Sequence, residues 1–451
     1  MSILLRSALV LFVALGTLLA SAQRVRGRFM QVPAPSGHVV LFATIGGTLH
    51  RVDSAVISPK GNFYLGKRTL EPGFYTLAIN DTDRVDLILV PTEPLVELQF
   101  TGSPLQEHIT VLRSEQNTTL WEYKAISRTH QASLGQVRSE RANADPRDSL
   151  LLRSLDDRER RIGQIKELEL KRITSEHPSS FFSWAVAQDA ALMSALPEGW
   201  SALRGSVDVS DRRLLRTNIH AKAVLAFLQT SPPERYSATC DSLLAWCASD
   251  SLAWCTVRAQ LVNLFSTYGP DAVAQHMVDR YLVGSGALWP ADAELSRIAE
   301  DQLRVAVGAQ LPELALPLPL VSDTLVSSAF FTRHTFVLVF FFSSTCGHCH
   351  DQMPGLRDLY PEIRQRGGEL LGVALDSDLE ELRSTVTTEG LTWPIASELL
   401  GWGGAISTAF AVKATPSFFL VDSAGVIRSK PYDHVEARTA IERLLAEPRP
   451  R

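Results

Sequence analysis

Three textures of apolar and polar positions follow one another along the chain. Between residues 23 and 102, short apolar runs alternate with polar side chains: Val39-Val40-Leu41-Phe42, Phe63-Tyr64-Leu65, Phe74-Tyr75-Thr76-Leu77, Val85-Asp86-Leu87-Ile88-Leu89 and Val96-Glu97-Leu98. Gly46-Gly47, Pro59-Lys60-Gly61-Asn62 and Glu71-Pro72-Gly73 punctuate them as turns. This spacing predicts short strands in a small antiparallel β-sandwich. Between residues 103 and 306 the period lengthens to that of helices. In the charge-dense stretch 147–175, Leu150, Leu151, Leu155, Ile162, Ile165, Leu168 and Leu170 form an interrupted stripe, which predicts a solvated helix with one buried side. Helical patterns continue through 212–228, 242–265 and 271–282.

The third texture begins near residue 307, after which the Pro-rich Leu311-Pro312-Glu313-Leu314-Ala315-Leu316-Pro317-Leu318-Pro319 acts as a stiff link into a leading β segment. The run Phe336-Val337-Leu338-Val339-Phe340-Phe341-Phe342 predicts a strand, and a helical pattern follows with Met353, Leu356, Tyr360 and Ile363 on one face. Leu370-Leu371-Gly372-Val373-Ala374-Leu375 reads as the next strand, with a polar helix over 379–389. Thr415-Pro416 precedes the strand Ser417-Phe418-Phe419-Leu420-Val421, and Asp422-Ser423-Ala424-Gly425 turns it into Val426-Ile427-Arg428. A helix over 435–446 closes the chain. The whole predicts a multidomain protein: a β-sandwich over 23–102, an α-helical domain over 103–306 and an α/β domain over 307–451.

Between the apolar strand and its helix lie Cys346-Gly347-His348-Cys349. The i,i+3 spacing sets both sulfurs on one helix face, and the helix N-terminus favours a leading thiolate. Zinc would need further ligands: no second Cys-x-x-Cys or paired histidines accompany the motif, and His348 and His350 point in different directions. A permanent disulfide between adjacent turns would constrain little. A peroxiredoxin's Pro-x-x-x-Thr-x-x-Cys pattern is absent, because positions 339 and 342 are Val and Phe. A redox-active Cys346–Cys349 pair is the reading that stands. Cys346, at the exposed helix start, is then the attacking thiolate, and Cys349 resolves the mixed disulfide. His348 either stabilises that thiolate as an imidazolium or is simply solvated. Gly347 allows a tight turn and leaves room for a substrate backbone.

These residues carry a resemblance. Gly308, Pro312, Phe341-Phe342-Ser343-Ser344-Thr345-Cys346-Gly347-His348-Cys349, Pro354, Trp393 and Thr415-Pro416 occur in the order of the thioredoxin superfamily, most closely its TlpA-like branch. The long stretch between 375 and 415 looks like that branch's helical insertion. The resemblance covers about residues 307–447. Asp53-Ser54, Gly61-Asn62-Phe63 and Pro72-Gly73-Phe74-Tyr75 resemble the β-domain often fused ahead of such domains, and the segment 261–281 resembles the helical domain of multidomain members. The resemblance implies a thioredoxin-like C-terminal fold, a cis Pro416 that turns Thr415 toward the dithiol, and exchange with protein thiols and disulfides without a cofactor or metal. It favours the reducing direction, with electrons from a membrane DsbD-type donor and apocytochrome c as one substrate class. The Cys-Gly-His-Cys dipeptide, shared with oxidising and isomerising relatives, argues the other way. Two positions depart from thioredoxins: Phe340 stands where a buried acid shuttles protons, and Thr345 where tryptophan is common. Water or an acid of the insertion such as Glu398 would then accept the proton.

Arg6, the apolar residues 8–19 and Ala20-Ser21-Ala22 have the layout of a cleavable secretory signal over 1–22. An uncleaved anchor is the competing reading, although the apolar run is short for a bilayer. No cysteine follows it, which argues against a lipoprotein, and the expected destination is a Gram-negative periplasm. A formal net charge of −5 offers no basic footprint for nucleic acid. Three further cysteines, Cys240, Cys247 and Cys255, lie in the helical part. Cys240 and Cys247 would be about 10 Å apart on one helix, too far to bridge. The near-repeat of Asp241–Cys247 at Asp250–Cys255 predicts a break at 248–250, leaving either one disulfide with a free thiol or three buried thiols. The rival functional class is a non-catalytic scaffold or binding protein that uses the C-terminal fold as a platform.

Overall fold

The alternating segment folds into two four-stranded sheets. In the computed structural model, which describes residues 23–31, 35–66 and 70–446, its strands are β1 (Arg24–Phe29), β2 (His38–Ile45), β3 (Thr48–Val56), β4 (Asn62–Leu65), β5 (Gly73–Ala78), β6 (Arg84–Leu89), β7 (Leu95–Phe100) and β8 (Ile109–Arg113). The expected signal segment 1–22 lies outside the described residues. One sheet has the order β4-β1-β7-β8 and the other β3-β2-β5-β6. Alternate residues of both sheets enter one apolar core, where Phe29 stacks on Phe100 at 5.1 Å and lies 5.7 Å from Phe63. The pairing departs from the all-antiparallel expectation in one place, because β1 and β7 run parallel from Arg24↔Leu95 to Phe29↔Phe100. Between them the chain crosses to the other sheet and returns, so no tight hairpin imposes opposite directions.

Helices follow: α1 (Glu115–Ala142), α2 (Ser149–Glu176), α3 (Phe181–Ala195), α4 (Trp200–Ser206), α5 (Arg212–Leu215) and α6 (Ile219–Gln229). Ser114 and Asp148 cap α1 and α2 by accepting from Asn117 N and Leu151 N. Asn117 is buried and treats β6 as a strand partner would, accepting from Ile88 N and donating to Ile88 O, both at 2.8 Å. The long α1–α2 pair is laced by exposed ion pairs such as Arg141–Asp156 and Arg172–Glu122, each worth little alone. The anticipated stripe is buried only in part. Leu155 is enclosed, whereas Leu150, Ile165 and Leu168 face solvent.

Contacts divide the chain into two compact units, Met1–Thr230 and Ser231–Arg451. The helical stretch drawn from sequence as one domain over 103–306 is therefore shared: α1–α6 belong with the sheets, and the later helices with the C-terminal fold. Helical texture marks secondary structure and does not report which core a helix joins.

The second unit opens with α7 (Tyr236–Trp246), α8 (Ser251–Tyr268), α9 (Asp271–Tyr281) and α10 (Ala293–Arg304). The anticipated break at 248–250 separates α7 from α8, with Asp250 capping α8 through Ala253 N. Cys240 and Cys247 are buried, Cys255 is half-buried, and all three are thiols. Next come the hairpin β9 (Ala315–Leu318) and β10 (Asp323–Val326), then α11 (Ser327–Phe331), β11 (Phe336–Phe342), α12 (Gly347–Gln365), β12 (Glu369–Ala374), α13 (Leu379–Thr388), β13 (Ile395–Ala396), α14 (Ala405–Ala409), β14 (Ser417–Asp422), β15 (Ile427–Ser429) and α15 (His434–Ala446). The five-stranded sheet has the order β13-β12-β11-β14-β15, with β12 parallel to β11 and β14 antiparallel. Apolar clusters cover it on both faces, which is why β11 reads as an unbroken apolar run. Polar contacts tie α9 and α10 to this fold: Lys430 to Asp271, Lys413 to Asp301 at 3.9 Å, and Arg304 to the Thr408 carbonyl at 3.2 Å. Among the described residues, no helix is long and apolar enough to cross a membrane.

One buried group in the first unit carries a pH prediction. His220 is fully enclosed, with Nε2 3.0 Å from the Val209 carbonyl, and burial pushes its pKa from 6.5 down to about 4. Between those values the unfolded chain takes up a proton that the folded chain refuses. Stability should therefore fall as pH drops through this window, by up to about 3 kcal/mol from this group. Denaturant titrations at about pH 7 and about pH 4.5 should show a smaller pH-dependent loss for His220→Gln than for wild type. Parallel losses would remove His220 from the account.

Candidate active site

β11 ends in the loop Ser343-Ser344-Thr345, and α12 begins with Cys346 as its own N-cap. Cys346 has extended backbone (φ −88°, ψ 104°), and its Sγ accepts from Cys349 N at 3.3 Å. The first sulfur thus takes the position that a Ser or Asp oxygen fills in most helices. Cys346 is half-buried and Cys349 fully buried. Burial raises the Cys346 pKa, but hydrogen bonds from the Cys349 thiol, from the Thr415 side chain and from the N–H groups of Cys349 and His348 outweigh it and bring it below the ordinary thiol value. Burial, together with the hydrogen bond to Cys346, pushes Cys349 up to about 12. The pair is asymmetric in the sense that exchange requires, with a nucleophile in front and a protonated thiol behind.

The remaining candidate residues fall into place around it. The Thr415–Pro416 bond is cis, and the Thr415 carbonyl oxygen lies 3.5 Å from Cys346 Sγ. A Cβ on Gly347 would meet no atom within 4 Å, and its φ is not in the left-handed region. The turn therefore does not require glycine, and the feature that survives is open space in front of Cys346. The His348 side chain is 90% exposed, with Asp351 3.7 Å away. Its ring is solvated; its backbone N–H is what acts on Cys346. Pro354 lies inside α12, whose buried face is Cys349, Met353, Leu356, Leu359 and Ile363.

Three acids settle where protons can and cannot be held. Phe340 occupies the position anticipated to lack an acid, stacked on Phe342 at 5.3 Å and Phe418 at 5.0 Å in the core that contains Cys349. Glu398, suggested as a substitute, is committed elsewhere, because its two oxygens accept from Ala405 N and Ile406 N at 2.9 Å each and cap α14. The acids at the dithiol loop are ones that sequence reasoning passed over. Asp376, buried just beyond β12, accepts from Ser344 N (2.9 Å) and Ser344 Oγ (3.1 Å). Glu389, just beyond α13, lies 2.8 Å from His350 Nδ1, and His350 Nε2 is 2.8 Å from the Ser344 carbonyl. His350 follows Cys346 by four residues, the spacing of side chains on one helix face. That signal was available in the sequence.

Residues 307–430 match the family model described as AhpC/TSA family. Within the match the cysteines keep Cys-x-x-Cys spacing, and neither follows a proline by seven residues. The chain is 30% identical over 93 residues to thiol-disulfide oxidoreductase ResA of Bacillus thuringiensis (strain Al Hakam), covering 20% of this chain and 51% of that protein. It is 27% identical over 130 residues to ResA of Geobacillus thermodenitrificans (strain NG80-2), covering 28% and 70% respectively. The chain thus spans about half the length of the first of these relatives. Among solved structures, it is similar to the thioredoxin domain of a thiol-disulfide oxidoreductase from Bacteroides vulgatus, with 20% identity, a TM-score of 0.29, and coverage of 31% of this chain and 96% of that one.

The asymmetry of the pair sets an expected labelling result. Iodoacetamide at about pH 7 should alkylate Cys346 of the reduced, folded chain at least about tenfold faster than Cys349, as read by peptide mass spectrometry. Comparable rates at the two sulfurs would contradict the assigned order of attack.

Proposed function

We propose that this chain is a thiol–disulfide oxidoreductase that exchanges two electrons with protein disulfides through a mixed disulfide on Cys346. The observation that carries the reading is the half-exposed Cys346, with a lowered pKa, capping the helix that buries Cys349. In the reducing direction, the Cys346 thiolate attacks one sulfur of a substrate disulfide, and the other substrate sulfur leaves and takes a proton. Cys349 then loses its proton and attacks Cys346 Sγ, so the second substrate sulfur leaves and the enzyme pair is oxidised. The open space at Gly347 and the Thr415 carbonyl beside Cys346 suit an extended substrate segment lying across the sulfur.

The proposed net direction is reduction, in line with the TlpA-like resemblance, with a membrane DsbD-type protein as electron donor and apocytochrome c among the substrates. The segment 1–22 is proposed to export the chain to the periplasm. The two-sheet part, taken as a β-sandwich, and its helices are proposed to lie outside the chemistry.

The test is catalytic and covalent. Wild type should accelerate reduction of insulin by dithiothreitol, and Cys346→Ser should fall to the uncatalysed rate. Cys349→Ala should strand substrates on Cys346 as mixed disulfides that survive alkylation and dissolve on reduction. Equal activity of wild type and Cys346→Ser would leave a scaffold as the better description. Equilibration with glutathione buffers tests direction separately, since a pair more oxidising than the surrounding pool would reverse the assignment.

A further inference from the structure

We infer that His350 and Glu389 form a fixed charge pair that favours the thiolate of Cys346, so that α13 and the residue closing it contribute to the redox centre. This inference rests on the reading of Cys346 as the attacking sulfur. It assigns to His350 the electrostatic role that the motif's spacing suggested for His348.

The argument begins with hydrogen bonds. His350 Nδ1 lies 2.8 Å from a Glu389 carboxylate oxygen, and Nε2 lies 2.8 Å from the Ser344 carbonyl oxygen. A carbonyl can only accept, and so can an ionised carboxylate. A neutral imidazole carries hydrogen on one nitrogen alone and would set a lone pair against one of these oxygens. Both contacts are satisfied when both nitrogens carry hydrogen, which is the imidazolium.

The ring is also held in place. Ser344, which takes the Nε2 hydrogen, is itself gripped by the buried carboxylate of Asp376 through its N–H and its hydroxyl. The Glu389 carbonyl accepts from Arg357 Nη1 at 2.6 Å, anchoring the end of α13 to α12. His350 N donates to the Cys346 carbonyl at 3.2 Å, so the cationic ring is one helical turn from the sulfur-bearing residue.

The charged and titratable groups around the ring are accounted for as follows. Glu389 faces it from beyond α13, and Asp376 stands behind Ser344. On α12 itself, Arg357 reaches only the Glu389 main chain, while His348 and Asp351 lie exposed beside each other. The Ser344 carbonyl first, then Glu389, raise the His350 pKa against burial, and negative charge on Cys346 adds to them. Such coupling is reciprocal: if the thiolate stabilises the imidazolium, the imidazolium stabilises the thiolate by the same amount.

Two measurements on the full-length reduced chain test this. The pH dependence of Cys346 alkylation by iodoacetamide should show the thiolate titrating about one pH unit higher in His350→Gln than in wild type, an about tenfold loss of thiolate on the acid side. Glu389→Gln should give a smaller shift in the same direction. In wild-type protein, the His350 ring followed by NMR should titrate at higher pH when the pair is reduced than when it is a disulfide, by the amount seen at Cys346. Superimposable alkylation profiles, or a His350 titration blind to redox state, would overturn the inference while leaving the exchange reading intact. A wild-type Cys346 no more reactive than free cysteine would overturn both.

Discussion

Burial of β11 on both faces is the constraint from which the rest of the C-terminal unit follows. All seven of its side chains are shielded from water, with Phe336, Leu338, Phe340 and Phe342 in one apolar cluster and Val337, Val339 and Phe341 in the other. At about 1.5–3 kcal/mol for each large apolar side chain, no shift of register or exposure of one face is tolerable. The strand must therefore stop where the chain turns polar, at Ser343, and the helix must begin where a side chain can satisfy its first N–H groups. Cys346 does this with sulfur. The position of the Cys346 sulfur is thus fixed by packing beneath it and by helix termination above it, and the capping hydrogen bond is one of those that lower its pKa.

What could be read from the sequence was what periodicity and local chemistry encode. The central strand, the dithiol helix and its apolar face, the Thr-Pro segment, the terminal hairpin and the last helix are strong because each rests on contiguous residues. Less legible were features decided by residues far apart in sequence. The parallel β1–β7 pair depends on which sheet the intervening strands join. The grouping of α7–α10 with the C-terminal fold depends on contacts such as Lys430–Asp271 and Arg304–Thr408. At the site, His348 drew attention because it lies between the cysteines, yet side chains at adjacent helical positions diverge, and the ring that is held belongs to His350. Glu389 and Asp376 went unnoticed for the same reason: nothing in their local sequence announces the loop they meet in space.

Those contacts also give the helices α9 and α10 a mechanical meaning. Lys413 and the Thr408 carbonyl lie shortly before Thr415 in the chain, and both are held from α10, by Asp301 and Arg304. The segment leading to the Thr-Pro bond is therefore braced by a helix outside the thioredoxin-like core. Removal of water from Lys413 lowers its pKa, so its charge is maintained at some cost.

The aromatic stack at Phe340 has a consequence for timing. Cys349 is buried in the same apolar cluster as the stacked rings of Phe340, Phe342 and Phe418, and in the reduced pair burial pushes its pKa up to about 12. In the proposed exchange, the proton of Cys349 would leave toward the mouth of the site, past the sulfur already joined to the partner. A client that fits closely over Cys346 would thereby lengthen its own covalent tether, and one that leaves a water path would be let go quickly. The lifetime of the joined state would then be set by the fit of the client.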